Sequence, residues 1–158
     1  MTPKERARSL IDQNDIMILA TSDAHGVPWA SPVFYVPDDA YNLCWVSWKE
    51  ARHSENIGHR KEVGIAIYFT DPAVDAVYVA AEASELKSED DVEFGIGIMS
   101  RKPQPEHWQV RSAADVTGSG PWRIYRATPA TIEVRLMSVA GDLSLATRQP
   151  ADFRQDVS

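Results

Sequence analysis

A rhythm of short apolar runs, each cut off by turn-forming residues, constrains this chain more than any other feature. Residues 16–21 (IMILAT) are continuously apolar but too short for a helix between their polar flanks, and they predict a buried strand. Asp23, Ala24, His25 and Gly26 then signal a turn, with Gly26 free to take positive φ. A second strand is expected over residues 29–36. Pro32 inside it points to a sheet edge, a bulge, or a place where something other than a strand meets the backbone, because proline offers no N–H to a ladder. Pro37, Asp38 and Asp39 turn the chain into a third strand over residues 41–47 (YNLCWVS). Further strands are expected over residues 63–70 and 76–86, with Asp71-Pro72 turning the chain between them. Gly118-Ser119-Gly120-Pro121 is a clear breaker. Two closing strands follow, residues 122–127 and 131–137, joined at Thr128-Pro129.

Helices are few and sit between these runs. Thr2 and Pro3 suit the cap and first position of an amphipathic helix over residues 3–13, with Ala7, Leu10 and Ile11 on one face. Residues 49–59 are polar enough for a second, surface helix. Ser88 caps a third of about ten residues or more, with Asp90, Asp91 and Glu93 near its positive end. Residues 107–114 are a weaker helical candidate, after a loop over 102–105. The last fifteen or so residues are polar and predict a loosely ordered tail. Many short strands with peripheral helices predict a mainly β fold, an antiparallel barrel or sandwich.

The 158 residues are enough for one domain with a real core, yet leave little material for a deep pocket within one subunit. The formal charge of -7 repels nucleic acid and anionic lipid, so neither is an expected partner. The single cysteine, Cys44, permits no internal disulfide and reads as a buried core thiol. The N-terminal residues lack the apolar stretch of a signal peptide, and no run is long enough to span a membrane, so a cytoplasmic location is expected.

Common catalytic patterns do not occur. There is no GxSxG, no GxGxxG after a strand, no P-loop, and no HxxxH among His25, His53, His59 and His107. No catalytic residue is assigned, and no metal site is expected. One segment stands out, VSWKEARHSENI over residues 46–57. It joins a strand end to a helix start and gathers Lys49, Arg52 and His53 with the hydroxyls of Ser47 and Ser54. Residues 49–61 carry a local +2 in a chain of -7, and a helix start beside a guanidinium binds phosphate well. Such charge runs are more often solvated surface. Trp29 and Trp48 sit next to turns or loops, where an indole can pack on a planar ring, whereas Trp45 reads as core.

The order ILATSDAHGVPWASPVFYV, then LCWVSWKEARHSENI, then VGIAIYFTDP, resembles the FMN-binding split-barrel family of pyridoxamine phosphate oxidase and its relatives. AAEASELKSEDD and WRIYRATPATIEV resemble the family's next strand and helix and its closing hairpin, so the likeness covers about residues 4–138. It implies a six-stranded antiparallel split β-barrel over residues 1–140 with a polar C-terminal tail over 141–158. It also implies a homodimer with FMN at the subunit interface. Carried over by position, Ala30, Ser31, Pro32 and Val33 run beside the isoalloxazine ring. Val46, Ser47 and Trp48 lie on the ribityl-phosphate side, Arg52 and His53 fall on the basic pair that grips the phosphate, and Asn56 opens the helix beneath it. Trp108 and Trp122 are candidates to close the site from a partner subunit.

The departures from the family pattern narrow the expected function. Pyridoxamine phosphate oxidases carry Arg where Ser31 stands, Lys where Val36 stands and Arg-Lys where Arg52-His53 stands, and they end in a basic, aromatic substrate-binding segment. This chain ends in DLSLATRQPADFRQDVS instead. The expected function is an FMN-dependent oxidoreductase acting on a small molecule or electron donor other than pyridoxamine phosphate. The alternatives are a split barrel holding a deazaflavin or haem, with His25, His59 and His107 as haem-ligand candidates, and a non-catalytic flavin-binding or stress protein.

Overall fold

The computed structural model describes residues 1–70, 75–136 and 147–153. Its elements are α1 (Pro3–Gln13), β1 (Ile16–Ser22), β2 (Pro28–Phe34), β3 (Val36–Pro37), β4 (Leu43–Trp48), α2 (Arg52–His59), β5 (Glu62–Phe69), β6 (Asp75–Glu85), α3 (Glu89–Met99), β7 (Trp122–Leu136) and β8 (Thr147–Pro150). All strand pairs are antiparallel, in the order β2-β1-β5-β6-β7-β4-β3, with β8 added on β7. Six strands are six residues or longer, and these are the six expected of the split barrel.

The barrel closes, and splits, at one residue. β2 pairs with β1, while β3, one residue further on, pairs with β4. Tyr35, between them, therefore carries the chain from one end of the sheet to the other. It is fully buried; its N–H donates to the Asp15 carbonyl and its hydroxyl to the Ile11 carbonyl. From that junction the two arms diverge, β2 running back towards Pro28 and β4 forward to Trp48, with no ladder between them. Period-two alternation sends Met17, Leu19, Val33, Trp45, Ile65, Val77, Val79 and Val134 into the barrel, where Ala7, Leu10 and Ile11 of α1 join them. α1 is set by a capping box between Thr2 and Glu5, and Arg6 pairs with the buried carboxylate of Asp75. Outside the sheet, α3 lays Ile98 and Met99 on Val36 and Cys44, and Val92 on Leu86 and Ile124. Burial pushes the Cys44 thiol up to about 12, which makes it an inert core group.

Four local readings of the sequence change. Residues 122–136 form one continuous strand, not two joined at Thr128-Pro129. Pro129 sits at a bulge against β6, and β7's other edge passes from β4, ending at Ala127, to β8, starting at Glu133, so no neighbour needs the missing N–H. Residues 147–153, expected in a loose tail, instead supply β8, a buried Ala151, and a Phe153 ring 4.9 Å from that of Tyr41. The third strand begins at Leu43 because Tyr41 belongs to a tight turn at φ 60°, where Asp38 accepts from the N–H groups of Ala40 and Asn42. Residues 107–114 yield only 3₁₀ turns at Glu106–Trp108 and Ala113–Val116. The Asp71-Pro72 turn lies outside the described residues.

One face of the sheet is bare. In register, Pro32, Ile18, Ala66 and Tyr78 form one row across β2-β1-β5-β6, and Ala30, Ala20, Gly64 and Ala80 form the next. All eight are exposed or half-buried, and neither row holds a charge.

Candidate functional site

The split between β2 and β4 holds a cleft of about 300 Å³. One wall is Pro32, Val33 and Phe34 of β2; the other is Val46, Ser47 and Trp48 of β4. Ala51 and His53, at the start of α2, form the floor at one end; Trp122, the first residue of β7, and Met99, Gln104 and Trp108, from outside the sheet, complete the lining. Both walls are sheet edges. β2 pairs only with β1, and β4 beyond Cys44 pairs only with β7, so each turns unpaired backbone groups towards the gap.

The polar end of the cleft is built by the strand-to-helix turn. Ser54 Oγ donates to the Trp48 carbonyl at 2.7 Å, which ties the first turn of α2 to the end of β4. Asn56 Nδ2 donates to Thr21 Oγ1 at 3.0 Å, both residues buried, which pins the same helix to β1. Held so, His53 brings Nε2 to 2.7 Å from Ser47 Oγ. Burial lowers the His53 pKa, so the ring is neutral at neutral pH. The helix cap is Ala51, which has no side chain to satisfy the first-turn amides, whereas Thr2 and Ser88 cap α1 and α3 with their hydroxyls.

Aromatic rings also line the cleft. Trp48 and Trp122 meet edge to face at 6.0 Å, and Trp48 and Trp108 are 61% and 54% exposed. Arg123 fixes the approach of Trp122: it donates to the carbonyls of Gly118, Gly120 and Trp122 and pairs with Glu85 at 2.9 Å.

Of the ten positions singled out in the sequence, Pro32, Val33, Val46, Ser47, Trp48 and His53 line the cleft. Ala30 and Ser31 lie further along β2, outside the lining. Asn56 is an anchor behind the site. Arg52 is also outside the lining, its guanidinium over the Trp29 ring at 4.2 Å from the centroid. Trp108 and Trp122, candidates to close the site from a partner subunit, line the cleft of their own chain. His25, His59 and His107 are exposed and line no part of it. Phe34, Ala51, Met99 and Gln104 were not assigned to the site from the sequence; Phe34, next to Val33 on a wall strand, and Ala51, inside the 46–57 segment, carried a signal, while Met99 and Gln104 arrive through packing across the sheet. A larger cleft of about 520 Å³ lies at the β7 bulge, but none of the ten positions reaches it and Asp152 is its one ionisable side chain. Among the described residues no cluster of His, Cys, Asp or Glu could hold a metal ion, and no helix is long and apolar enough to cross a membrane.

Solved structures share this architecture at low identity. A haem-binding protein from Mycobacterium smegmatis matches with a TM-score of 0.71 at 19% identity over 97% of this chain, which spans 60% of that protein's length. The haem storage protein HutZ from Vibrio cholerae matches at 0.65 and 19%, covering 82% of this chain and 91% of its own. An FAD-binding protein from Mesorhizobium loti matches at 0.63 and 16%, covering 84% and 92%. These likenesses establish the fold. No curated protein matches the sequence. The family model for pyridoxamine 5'-phosphate oxidase matches residues 3–135, through the strands that form the cleft and the helix that floors it, and the chain belongs to that family.

Proposed function

We propose that this protein binds a flavin nucleotide, FMN in its smallest form, in the cleft between β2 and β4, and serves as a flavin-dependent oxidoreductase. The observation that carries the reading is the pair of unpaired strand edges across the cleft. A flavin ring is planar and carries donors and acceptors along its edge, so it can take the backbone bonds that the split leaves open. Ser47, His53 and the first-turn amides of α2 gather where a phosphate would lie, and no acidic side chain lines that end. When bound, the flavin supplies the hydride or electron transfer. The chain's residues bind, orient and shield: the strand edges position the ring, Trp48, Trp108 and Trp122 exclude water at the mouth, and Ser47 and His53 hold the phosphate.

The bare sheet face supports a homodimer. Pro32 belongs both to that face and to the cleft wall, so a second copy seated there borders the open side of the site. The substrate differs from pyridoxamine phosphate on this reading, because Ser31 stands where pyridoxamine phosphate oxidases carry an arginine.

A haem reading draws on one observation, a neutral His53 imidazole inside the cleft. The visible spectrum and bound-cofactor mass of the purified protein, followed by titration with FMN, separate the two. Flavin absorbance or saturable FMN binding is expected. A Soret band on adding haem, with no response to FMN, transfers the site to haem.

A further inference from the structure

Ser47, near the end of β4, and His53, in the first turn of α2, meet inside the cleft with Ser47 Oγ 2.7 Å from His53 Nε2. That is the separation of a nucleophile and its general base. Burial keeps the imidazole neutral at neutral pH; with the ring proton on Nδ1, Nε2 accepts from the hydroxyl. Other hydroxyls are committed elsewhere: Ser54, Ser100 and Thr117 each donate to a backbone carbonyl. The pair is also held in place. Ser54, which follows His53, donates to the carbonyl of Trp48, which follows Ser47, at 2.7 Å, so the two segments are locked in step. Ala51 leaves the first-turn amides of α2 uncapped, and they favour negative charge developing at that end of the cleft.

The surroundings select the substrate. No Asp, Glu, Lys or Arg lines the cleft, its volume of about 300 Å³ suits a small molecule, and the indoles of Trp48, Trp108 and Trp122 can pack on an aromatic ring. We propose that the cofactor-free cleft has a second activity, hydrolysis of small neutral aryl esters, with Ser47 as nucleophile and His53 as base. Ser47 Oγ attacks the ester carbonyl carbon while its proton passes to His53 Nε2. The tetrahedral adduct then expels the phenol oxygen, which takes that proton from the imidazolium, and an acyl-Ser47 ester remains. Water, deprotonated by the same imidazole, attacks that ester and releases the carboxylic acid and the free hydroxyl. One ester and one water give one phenol and one acid, with no redox partner. No carboxylate lines the cleft to orient the imidazole, so the steps run slower than in a triad, by up to about 10⁴-fold. The serine alkoxide is a poorer leaving group than a phenoxide, so the acyl-enzyme accumulates. The proposal does not rest on the flavin reading; a phosphate seated on Ser47 would block the attack.

In the test, protein freed of any bound cofactor is mixed with p-nitrophenyl acetate. Release of p-nitrophenol is followed, and the acetylated residue is located by peptide mass spectrometry. A burst close to one equivalent and an acetyl group on Ser47 are expected. Ser47→Ala should lose both, and Ser47→Cys should carry the acetyl group on its thiol. His53→Gln should slow the burst at least about hundredfold, the scale of a positioned general base. Circular dichroism checks that each variant is folded. Acetyl groups found only on lysines or the N-terminus, or a burst unchanged in Ser47→Ala or His53→Gln, overturn the proposal and leave the flavin reading standing.

Discussion

His53 is where pH enters. Its lowered pKa means that the folded chain binds fewer protons at this ring than the unfolded chain does, so folding stability rises with pH across the interval between the folded value and the ordinary imidazole value of about 6.5. Stability is therefore lost as pH falls below about 6.5. Thermal melts of the cofactor-free protein on acidification should show this loss, and His53→Gln should flatten it. A bound phosphate acts in the opposite direction, because an anion beside Ser47 favours the imidazolium. FMN binding should take up protons near neutral pH, and riboflavin binding should not; calorimetry in two buffers of different ionisation enthalpy reads the difference. Gly120 illustrates a constraint of another kind. A Cβ there would meet the Ala114 carbonyl oxygen at 2.2 Å and that of Asp115 at 2.5 Å. Gly120→Ala should cost about 1–3 kcal/mol by overpacking, seen as a lower urea midpoint, with the Trp122 loop displaced. In the sequence Gly120 reads only as a breaker; the carbonyls that demand it come from a turn the sequence hardly signals.

α2 positions the polar end of the site, and a single buried bond between Asn56 and Thr21 anchors it to β1. Asn56→Ala should destabilise the protein by about 1–3 kcal/mol, since it leaves a buried hydroxyl without its partner; chemical denaturation measures this, and flavin affinity should fall with it. Element types were largely legible because period two marks strands sharply and Thr2 and Ser88 are strong caps. Junctions were less so. Pro129 looks like a break until the register shows that β7 changes partners beside it, and β8 is four residues whose pairing nothing local announces. On α2, adjacency suggested that Arg52 and His53 act together, yet successive helical residues point about 100° apart, and only one enters the cleft.

At the scale of the molecule, the apolar rows on β2-β1-β5-β6 and the open cleft are parts of one surface. Ala66→Arg puts a charge in the middle of that face without touching the barrel interior. On the homodimer reading, light scattering should show a monomer, circular dichroism an unchanged fold, and titration a weaker flavin complex; a dimer that survives the substitution places the interface elsewhere. The split barrel was legible because motif order follows chain order. The outer wall of the cleft was not, since Met99 and Gln104 reach it from a helix end and a loop that share no pattern with β2 and β4.

Tyr35 leaves one mechanical consequence. Because the sheet changes ends at that buried residue and has no ladder beyond it, the two arms behave like the jaws of a clothes-peg sprung at Tyr35. Widening the jaws breaks no rung between β2 and β4; what resists it is α2, held to the end of β4 through Ser54 and to β1 through Asn56, so a change in that one helix can reset the gap without rebuilding the barrel.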